Sequence, residues 1–361
     1  MSVEDEIKKI EDELKKTKYN KHTQFHIGKL KAKLARLRSK KTGSISDGLG
    51  YAVKKSGDAT VIIVGLPSVG KSTLLNKLTN AESLVAEYDF TTLDVIPGVM
   101  EYEGAKIQML DVPGIIKGVS EGRGMGRKIL SVIRIADLIL IILDANKPKH
   151  LDVINRELYN AGFRLNQRIP DVHIKKKSTG GIDIAAMELT HITKEMIRSM
   201  LNEFKIMNAD VLIRDDLTVD ELIDSIQKNR IYIPSIVILN KVDSLSGDQL
   251  NDVRRSINNC IEISAKVGTN IDELKKTIWE KLDFIRIYMK KIGKEPDLKE
   301  ALVLKRGSTI EDVCKKIHRG FIGRFRYARI WGKTAKHPGQ NVSLRHRLED
   351  RDVVELHLTK V

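Results

Sequence analysis

Five short apolar runs punctuate the chain, at residues 60–64, 107–111, 138–143, 235–239 and 260–264. Between them apolar residues recur at helical spacing. The longest run, Leu138-Ile139-Leu140-Ile141-Ile142-Leu143, is far short of the roughly 20 residues that span a bilayer. It reads as a central strand buried on both faces of a parallel sheet. The alternation of strands and helices from Thr60 to about Phe284 predicts a doubly wound α/β domain, whose ligands sit at the C-terminal ends of the strands.

Residues 1–41 carry two helical stripes, Ile7, Ile10 and Leu14, then Ile27, Leu30, Leu34 and Leu37. They predict a helical hairpin that breaks near Tyr19-Asn20, with Thr23 as a cap and lysine-rich outer faces open to phosphates. A glycine- and serine-containing linker follows from Gly43 to Gly57. The gap between Asp144 and Ile236 is too long for a simple crossover and demands an insert. Residues 190–229 of it are expected to be mostly helical, with Thr218-Val219-Asp220-Glu221 as a capping box. Asn270-Ile271-Asp272-Glu273 predicts another. Lys175-Lys176-Lys177-Ser178-Thr179-Gly180-Gly181 reads as a basic turn, either an RNA contact or a hairpin tip with solvated lysines. After residue 298 the pattern becomes a strand (301–304), a helix capped by Ser308-Thr309-Ile310-Glu311, and strands at 325–331 and 353–358, which suggests a β-grasp. The expected domains are 1–57, 58–284 with a mostly helical insert at about 165–230, and 285–361.

Composition narrows the class. Hydrophobic residues make up 41%, enough for a real core, and two cysteines exclude a disulfide framework or a cysteine zinc site. The N-terminus is charged and lacks an apolar central region, so no signal peptide is read and a cytoplasmic location is expected. The net charge of +15 is uneven. Residues 1–57 hold 15 Lys/Arg against 7 Asp/Glu, and residues 285–361 hold 19 against 9, around a slightly acidic middle. Basic flanks favour a polyanion, either nucleic acid or an anionic membrane surface; RNA is the expected partner and DNA is not. Phe321, Phe325, Tyr327 and Trp331 interleave with Arg319, Arg324, Arg326 and Arg329. That mixture suits RNA, and also a strand with aromatics inward and arginines outward.

The chemistry is carried by four motifs. Gly65-Leu66-Pro67-Ser68-Val69-Gly70-Lys71-Ser72, followed by Thr73, is a complete phosphate-binding loop between a strand and a helix. Its glycines allow backbone N–H groups to wrap an anion, Lys71 reaches the β- and γ-phosphates, and Ser72 can ligate Mg²⁺. Asp111-Val112-Pro113-Gly114 ends a strand; Asp111 can hold Mg²⁺ through water and Gly114 can contact the γ-phosphate. Asn240-Lys241-Val242-Asp243 places a carboxylate where it can accept the N1–H and N2–H₂ of guanine, a donor pair adenine lacks. The backbone of Ser264-Ala265-Lys266 can meet the guanine carbonyl.

This ordered set resembles the motifs of translation-factor-class GTPases. The resemblance implies a first switch segment at Asp89-Phe90-Thr91-Thr92-Leu93, with Thr92 in preference to Thr91 on Mg²⁺. Lys71, Thr92 and Gly114 are then the catalytic group. The glycine-rich residues 118–127, with Phe-Thr-Thr-Leu, resemble the Obg-related branch and imply a second switch. The tail resembles a TGS domain, and the whole chain is similar to the DRG family, the developmentally regulated GTP-binding proteins and their archaeal relatives. That family implies association with ribosomes and a regulatory partner protein. Where many GTPases orient water with glutamine, this chain has Ile115, so slow intrinsic hydrolysis is expected. Relatives that use K⁺ often carry Asn where this chain has Ser68, which leaves K⁺ open. The competing readings are an ATPase or small-molecule kinase, disfavoured by Asp243, a GTP-binding scaffold with negligible turnover, and a membrane-held GTPase, which no acylation signal or long apolar run in this sequence supports.

Overall fold

A computed structural model describes residues 3–18, 20, 23–42, 57–79, 96–112, 132–257 and 259–359. The N-terminal stretch forms α1 (Val3–Lys16) and α2 (Gln24–Thr42). Next come β1 (Ala59–Val64), α3 (Lys71–Leu78), β2 (Ile96–Tyr102), β3 (Ala105–Asp111), β4 (Leu138–Asp144) and α4 (His150–Asn160). The inserted segment holds β5 (Phe163–Leu165), β6 (Val172–Lys176), β7 (Ile182–Ala186), α5 (Lys194–Glu203), β8 (Ala209–Ile213), α6 (Val219–Gln227) and β9 (Ile231–Ile233). The chain returns through β10 (Ser235–Asn240), α7 (Gly247–Ser256), β11 (Cys260–Glu262) and α8 (Ile271–Leu282). It ends in β12 (Phe284–Lys290), β13 (Pro296–Lys305), α9 (Ile310–Ile317), β14 (Phe325–Trp331), β15 (Gln340–Val342) and β16 (Val353–Leu358). Two compact units result, Met1–Gly50 with Gly162–Tyr232, and Tyr51–Ala161 with Ile233–Val361.

In the second unit six strands form one sheet in the order β11-β10-β4-β1-β3-β2. All neighbours run parallel except β2, which is antiparallel to β3. Every residue of β1 is buried, because its two faces are both covered. Val61 and Ile63 join Leu140 and Ile142 under Leu74, Leu75 and Leu78 of α3 and Leu274 and Ile278 of α8. Ile62, Ile139 and Ile141, of opposite parity, are fully buried on the other face. Each such aliphatic side chain contributes about 1.5–3 kcal/mol by leaving water. The sequence pattern misses edge strand β2, whose Pro97 and Gly98 interrupt its apolar alternation. Asn270 is a further departure. It opens α8 in a left-handed conformation and makes no side-chain cap; its amide donates to Glu262 O at 2.9 Å instead.

The C-terminal residues form a five-stranded sheet in the order β13-β12-β16-β14-β15, with β12 and β16 parallel in its interior. Ile310, Val313 and Cys314 of α9 pack beneath it with Ile285, Ile287, Ala328, Ile330 and Val354. This is the expected β-grasp. Its arginines do not share a face. Ala328 and Ile330 of β14 point into the core, so Tyr327, Arg329 and Trp331 occupy the open face by alternation. There Tyr327 stacks on His357 at 4.3 Å and Lys290 Nζ lies 4.8 Å from the Trp331 ring. Glu355, only 2% exposed, accepts from Lys290 and from His357.

This domain docks on the end of the large sheet where its parallel strands begin. Phe284 and Val303 share the large core, with Phe284 edge-on to Trp279 at 5.4 Å. Lys316 pairs with Asp58 at 2.7 Å and Lys305 with Asp137 at 3.0 Å. Arg286 reaches Glu103, in the β2–β3 turn, at 2.5 Å.

In the first unit α1 and α2 pair through Ile10, Leu30, Leu34 and Leu37, as the two stripes predict. The cap before α2 is a reciprocal pair rather than Thr23 alone: Asn20 Oδ1 accepts the Thr23 N–H at 2.9 Å, and Thr23 Oγ1 accepts the Asn20 N–H at 3.0 Å. The expected phosphate-facing lysines are partly committed, Lys33 to Glu6 at 2.7 Å and Lys31 to Asp220 at 2.8 Å. The insert is not mostly helical. Strand β8 sits between β6 and β7, antiparallel to the first and parallel to the second, with α5 and α6 packed on one face. The basic turn therefore joins two strands that do not pair with each other, and Lys177 is held by Asp183 at 2.6 Å and Asp210 at 2.7 Å. The Thr218–Glu221 capping box forms as expected.

A buried charge cluster fixes the root of the insert. Arg164, 4% exposed, clasps Asp224 through Nε at 2.6 Å and Nη2 at 2.9 Å, and Arg230 adds a third contact at 2.9 Å. Removing the carboxylate strands a buried guanidinium, a change that costs about 3–5 kcal/mol. Asp224→Ala is therefore expected to lower amide hydrogen-exchange protection of α6 and β5 by that amount, with little change in β1 or β4.

Candidate nucleotide site

The loop between β1 and α3 is shaped by three residues with unusual backbones or no room. Gly70 has φ 96°, and a Cβ there would lie 2.4 Å from Asn240 Nδ2. A Cβ on Gly65 would meet Ile142 O at 2.6 Å. Ser68 is left-handed at φ 65° although it carries a side chain. Val69 is buried while Pro67 and Ser68 face solvent. Among the described residues no side chain caps the start of α3, so its first N–H groups, up to that of Thr73, are available to an anion.

Lys71 curls back over this loop, donating to Gly65 O and Leu66 O at 3.2 Å each. Burial pushes its pKa down, and nearby Asp111 partly opposes that. Two neutral carbonyls compensate a partly buried ammonium poorly, and an anion would do better. Beside it Ser72 Oγ donates to Asp111 Oδ2 at 2.9 Å. The other oxygen, Asp111 Oδ1, is buried and has no hydrogen-bond partner among the described residues. Burial raises the Asp111 pKa, against the Ser72 hydrogen bond and the charge of Lys71. A hydroxyl beside a carboxylate with an orphaned oxygen is a donor set that suits a hard, oxygen-seeking cation such as Mg²⁺.

The third motif is joined to the first. Asn240 is 3% exposed; its Nδ2 donates to Val69 O at 2.8 Å and its Oδ1 accepts the Ala265 N–H at 2.9 Å. Lys241 Nζ donates to Ser68 O at 2.8 Å. Asp243 is exposed on the short helical turn that follows, Ser264 and Ala265 are buried, and Lys266 is exposed. Of the Ser264-Ala265-Lys266 backbone, expected to meet the guanine carbonyl, the Ala265 N–H is engaged by Asn240. Four segments distant in sequence thus meet at the C-terminal ends of β1, β3, β10 and β11. Thr91, Thr92, Gly114, Ile115 and the glycine-rich residues 118–127 lie outside the described residues.

Comparison with known proteins gives this geometry its class. Residues 60–177 match the family described as 50S ribosome-binding GTPase, residues 179–284 the C-terminal region of that domain, and residues 285–358 the TGS domain. The chain is 46% identical to the developmentally-regulated GTP-binding protein 2 homolog of Dictyostelium discoideum, over 99% of each chain. The chain belongs to the DRG family of GTP-binding proteins. A GTP-binding protein of Methanocaldococcus jannaschii is 53% identical over 99% of this chain and 93% of its own. The ribosome-interacting GTPase 1 of Saccharomyces cerevisiae is 47% identical over 98% of each. The DRG chain therefore carries a P-loop GTPase domain and a C-terminal TGS domain, and it binds GTP.

Sequence reasoning missed the partners of Lys241, namely Asp144 and Ser244, and Asn146, which bridges those two. The signal was available, since Asp144 closes an apolar strand just as Asp111 does. Burial without a cation leaves a testable mark on Asp111. Because its folded pKa is raised, ionising it costs stability; wild type is unpenalised below the ordinary carboxylate value and loses stability as pH rises through the raised one. Asp111→Asn is expected to melt at higher temperature than wild type at pH 8 without nucleotide or Mg²⁺, and the gain should vanish toward pH 3.5. Equal melting at pH 8 would contradict the cost assigned to this carboxylate.

Proposed function

We propose that this DRG protein is a Mg²⁺-dependent GTPase that hydrolyses GTP to GDP and phosphate slowly and uses its nucleotide state to control binding to the ribosome or its RNA. The observation that carries the reading is the buried Asn240, which hydrogen-bonds the phosphate loop and the Ser264-Ala265-Lys266 turn at once. One nucleotide spanning those segments would be gripped at its phosphates and read at its base.

In this reading Lys71 and the first N–H groups of α3 hold phosphates. Ser72 and Thr92 would ligate Mg²⁺ and Asp111 would hold it through water; the ion would supply charge neutralisation on the phosphate oxygens. Asp243 accepts the guanine donors, and Lys241 flanks the base. Thr92 and Gly114 belong to the segments that sense the γ-phosphate. Ile115 cannot hydrogen-bond water, and it supports a slow rate in the isolated protein. It also keeps a second reading in view, a GTP-bound scaffold that acts through a regulatory partner protein, with K⁺ as a candidate catalytic cation. Single-turnover hydrolysis with K⁺ or Na⁺ separates the two.

The polyanion target is supported by charge placement. In the C-terminal domain Arg319, Arg326, Arg329, Lys333, Arg345 and Arg347 are exposed, and none makes an ion pair among the described residues. In the same domain Tyr327 and Trp331 are half-buried on the sheet face away from α9, and their rings would add stacking on bases. The yeast relative's name states ribosome interaction of that protein. No helix among the described residues is long and apolar enough to cross a membrane, and the cytoplasm is the proposed location.

Two experiments test this. Co-sedimentation with ribosomes at near-physiological salt should be stronger with a non-hydrolysable GTP analogue than with GDP; equal, salt-labile pelleting in both states would reduce the interaction to generic charge attraction. Asp243→Asn should move binding preference from guanine toward xanthine nucleotide, by about one to two decades, the cost of leaving a buried polar group unpaired. Unchanged selectivity would remove Asp243 from the base site.

A further inference from the structure

Asp144 ends β4 and takes no part in the four motifs. Its side chain is largely buried, and Lys241 Nζ donates to its Oδ2 at 2.7 Å. The same ammonium donates to Ser68 O, so one cation ties the carboxylate to the phosphate loop. Asp144 Oδ1 accepts both the backbone N–H of Asn146 at 2.9 Å and its Nδ2 at 3.0 Å. Asn146 Nδ2 donates onward to Ser244 Oγ at 3.1 Å, and Ser244 Oγ donates to Lys241 O at 2.7 Å. The circuit closes: Asp144, Lys241, Ser244 and Asn146 each touch the next, and each donor has an acceptor.

The circuit encloses a turn that needs support. Lys241 is left-handed at φ 67°, a conformation that disfavours a lysine. It launches the helical turn Val242–Ser244, which presents Asp243. A β-strand carboxylate thus restrains both ends of Lys241, the ammonium directly and the carbonyl through Asn146 and Ser244. Burial alone would raise the Asp144 pKa, yet the hydrogen bonds from Lys241 and Asn146 hold it below the ordinary range. The carboxylate is therefore charged at neutral pH.

We propose that Asp144 is a positioning residue of the nucleotide site, which with Asn146 and Ser244 holds Lys241 against the phosphate loop and fixes the turn that carries Asp243. The inference rests on the reading that Lys241 and Asp243 face the guanine base. Its consequence is kinetic. Base recognition and phosphate grip become one rigid element, and a nucleotide leaves only when that element opens.

Release of a fluorescent GDP from the full-length protein tests it, with wild type, Asp144→Asn, Lys241→Met and the double variant compared. Loss of one charge-assisted hydrogen bond is expected to speed release about tenfold in Asp144→Asn. Lys241→Met should release at least as fast, and the double variant no faster than Lys241→Met alone, because Asp144 acts through Lys241. Ser244→Ala, on the exposed side of the circuit, should accelerate release about twofold to threefold and provides the same test if Asp144→Asn does not fold. Wild-type release from both Asp144→Asn and Ser244→Ala would overturn the inference. So would an Asp144→Asn effect that persists undiminished in the Lys241→Met background. Wild-type release from Lys241→Met would instead bring down the assignment of Lys241 to the base site, and the inference with it.

Discussion

The amide of Asn240 is the contact on which the nucleotide end of this protein depends. It is buried, so both its donor and its acceptor need partners. It finds them in Val69 O and the Ala265 N–H, on two loops that share no other element. The same amide occupies the space a Cβ would need at Gly70. The glycine before Lys71 is therefore required twice, once for its positive φ and once by a side chain 170 positions later in the chain. An aliphatic side chain at 240 would fill the volume but leave a carbonyl and an N–H unpaired in the core, at about 1–3 kcal/mol each.

The large sheet has two working ends. Asp111, Asp144 and Asn240 terminate β3, β4 and β10 at one. At the other, Asp58 and Asp137 precede β1 and β4, and Glu103 precedes β3; all three carboxylates are met by cations of the C-terminal domain. Strands of six or seven residues separate the ends by about 20 Å. The β2–β3 hairpin reaches both, as β1 and β4 also do, since its turn contacts Arg286 and β3 delivers Asp111. A shift of this hairpin along β1 would be felt at both ends, because its turn is charge-paired and its far end carries the carboxylate beside Ser72.

How much of this is legible in the sequence follows from what each pattern encodes. The phosphate loop, the parallel strands and the hairpin of α1 and α2 are local patterns in composition, and they stand where their spacing puts them. Asp243 and Lys241 are readable as a motif, but the circuit that holds Lys241 joins residues about 100 positions apart, which no local window reveals. The insert was misjudged because β8 lies between two helices and pairs with strands on the far side of α5, so its Ala209-Asp210-Val211-Leu212-Ile213 alternation competes with strong helical neighbours. Residue type alone would turn the aromatics of β14 inward and its arginines outward. Register decides instead: Ala328 and Ile330, small and aliphatic, take the core, and the bulkier Tyr327 and Trp331 are left outside.

Net charge illustrates the same point at a larger scale. The N-terminal and C-terminal segments are similarly basic in composition, yet they differ in what the charge can do. Lys31, Lys33, Arg36 and Arg38 of α2 each have a carboxylate within 4 Å, so a phosphate approaching them must displace an existing partner. Exposed pairs of this kind are worth little and can be exchanged, but each exchange leaves a carboxylate facing the incoming polyanion. Exposed Arg319, Arg326, Arg329, Arg345 and Arg347 of the C-terminal domain carry no such penalty, since none has a carboxylate partner among the described residues, and the rings of Tyr327 and Trp331 add attraction that salt does not screen. A polyanion that meets both segments should therefore bind the C-terminal domain first, and should hold there at ionic strengths that release it from the helices.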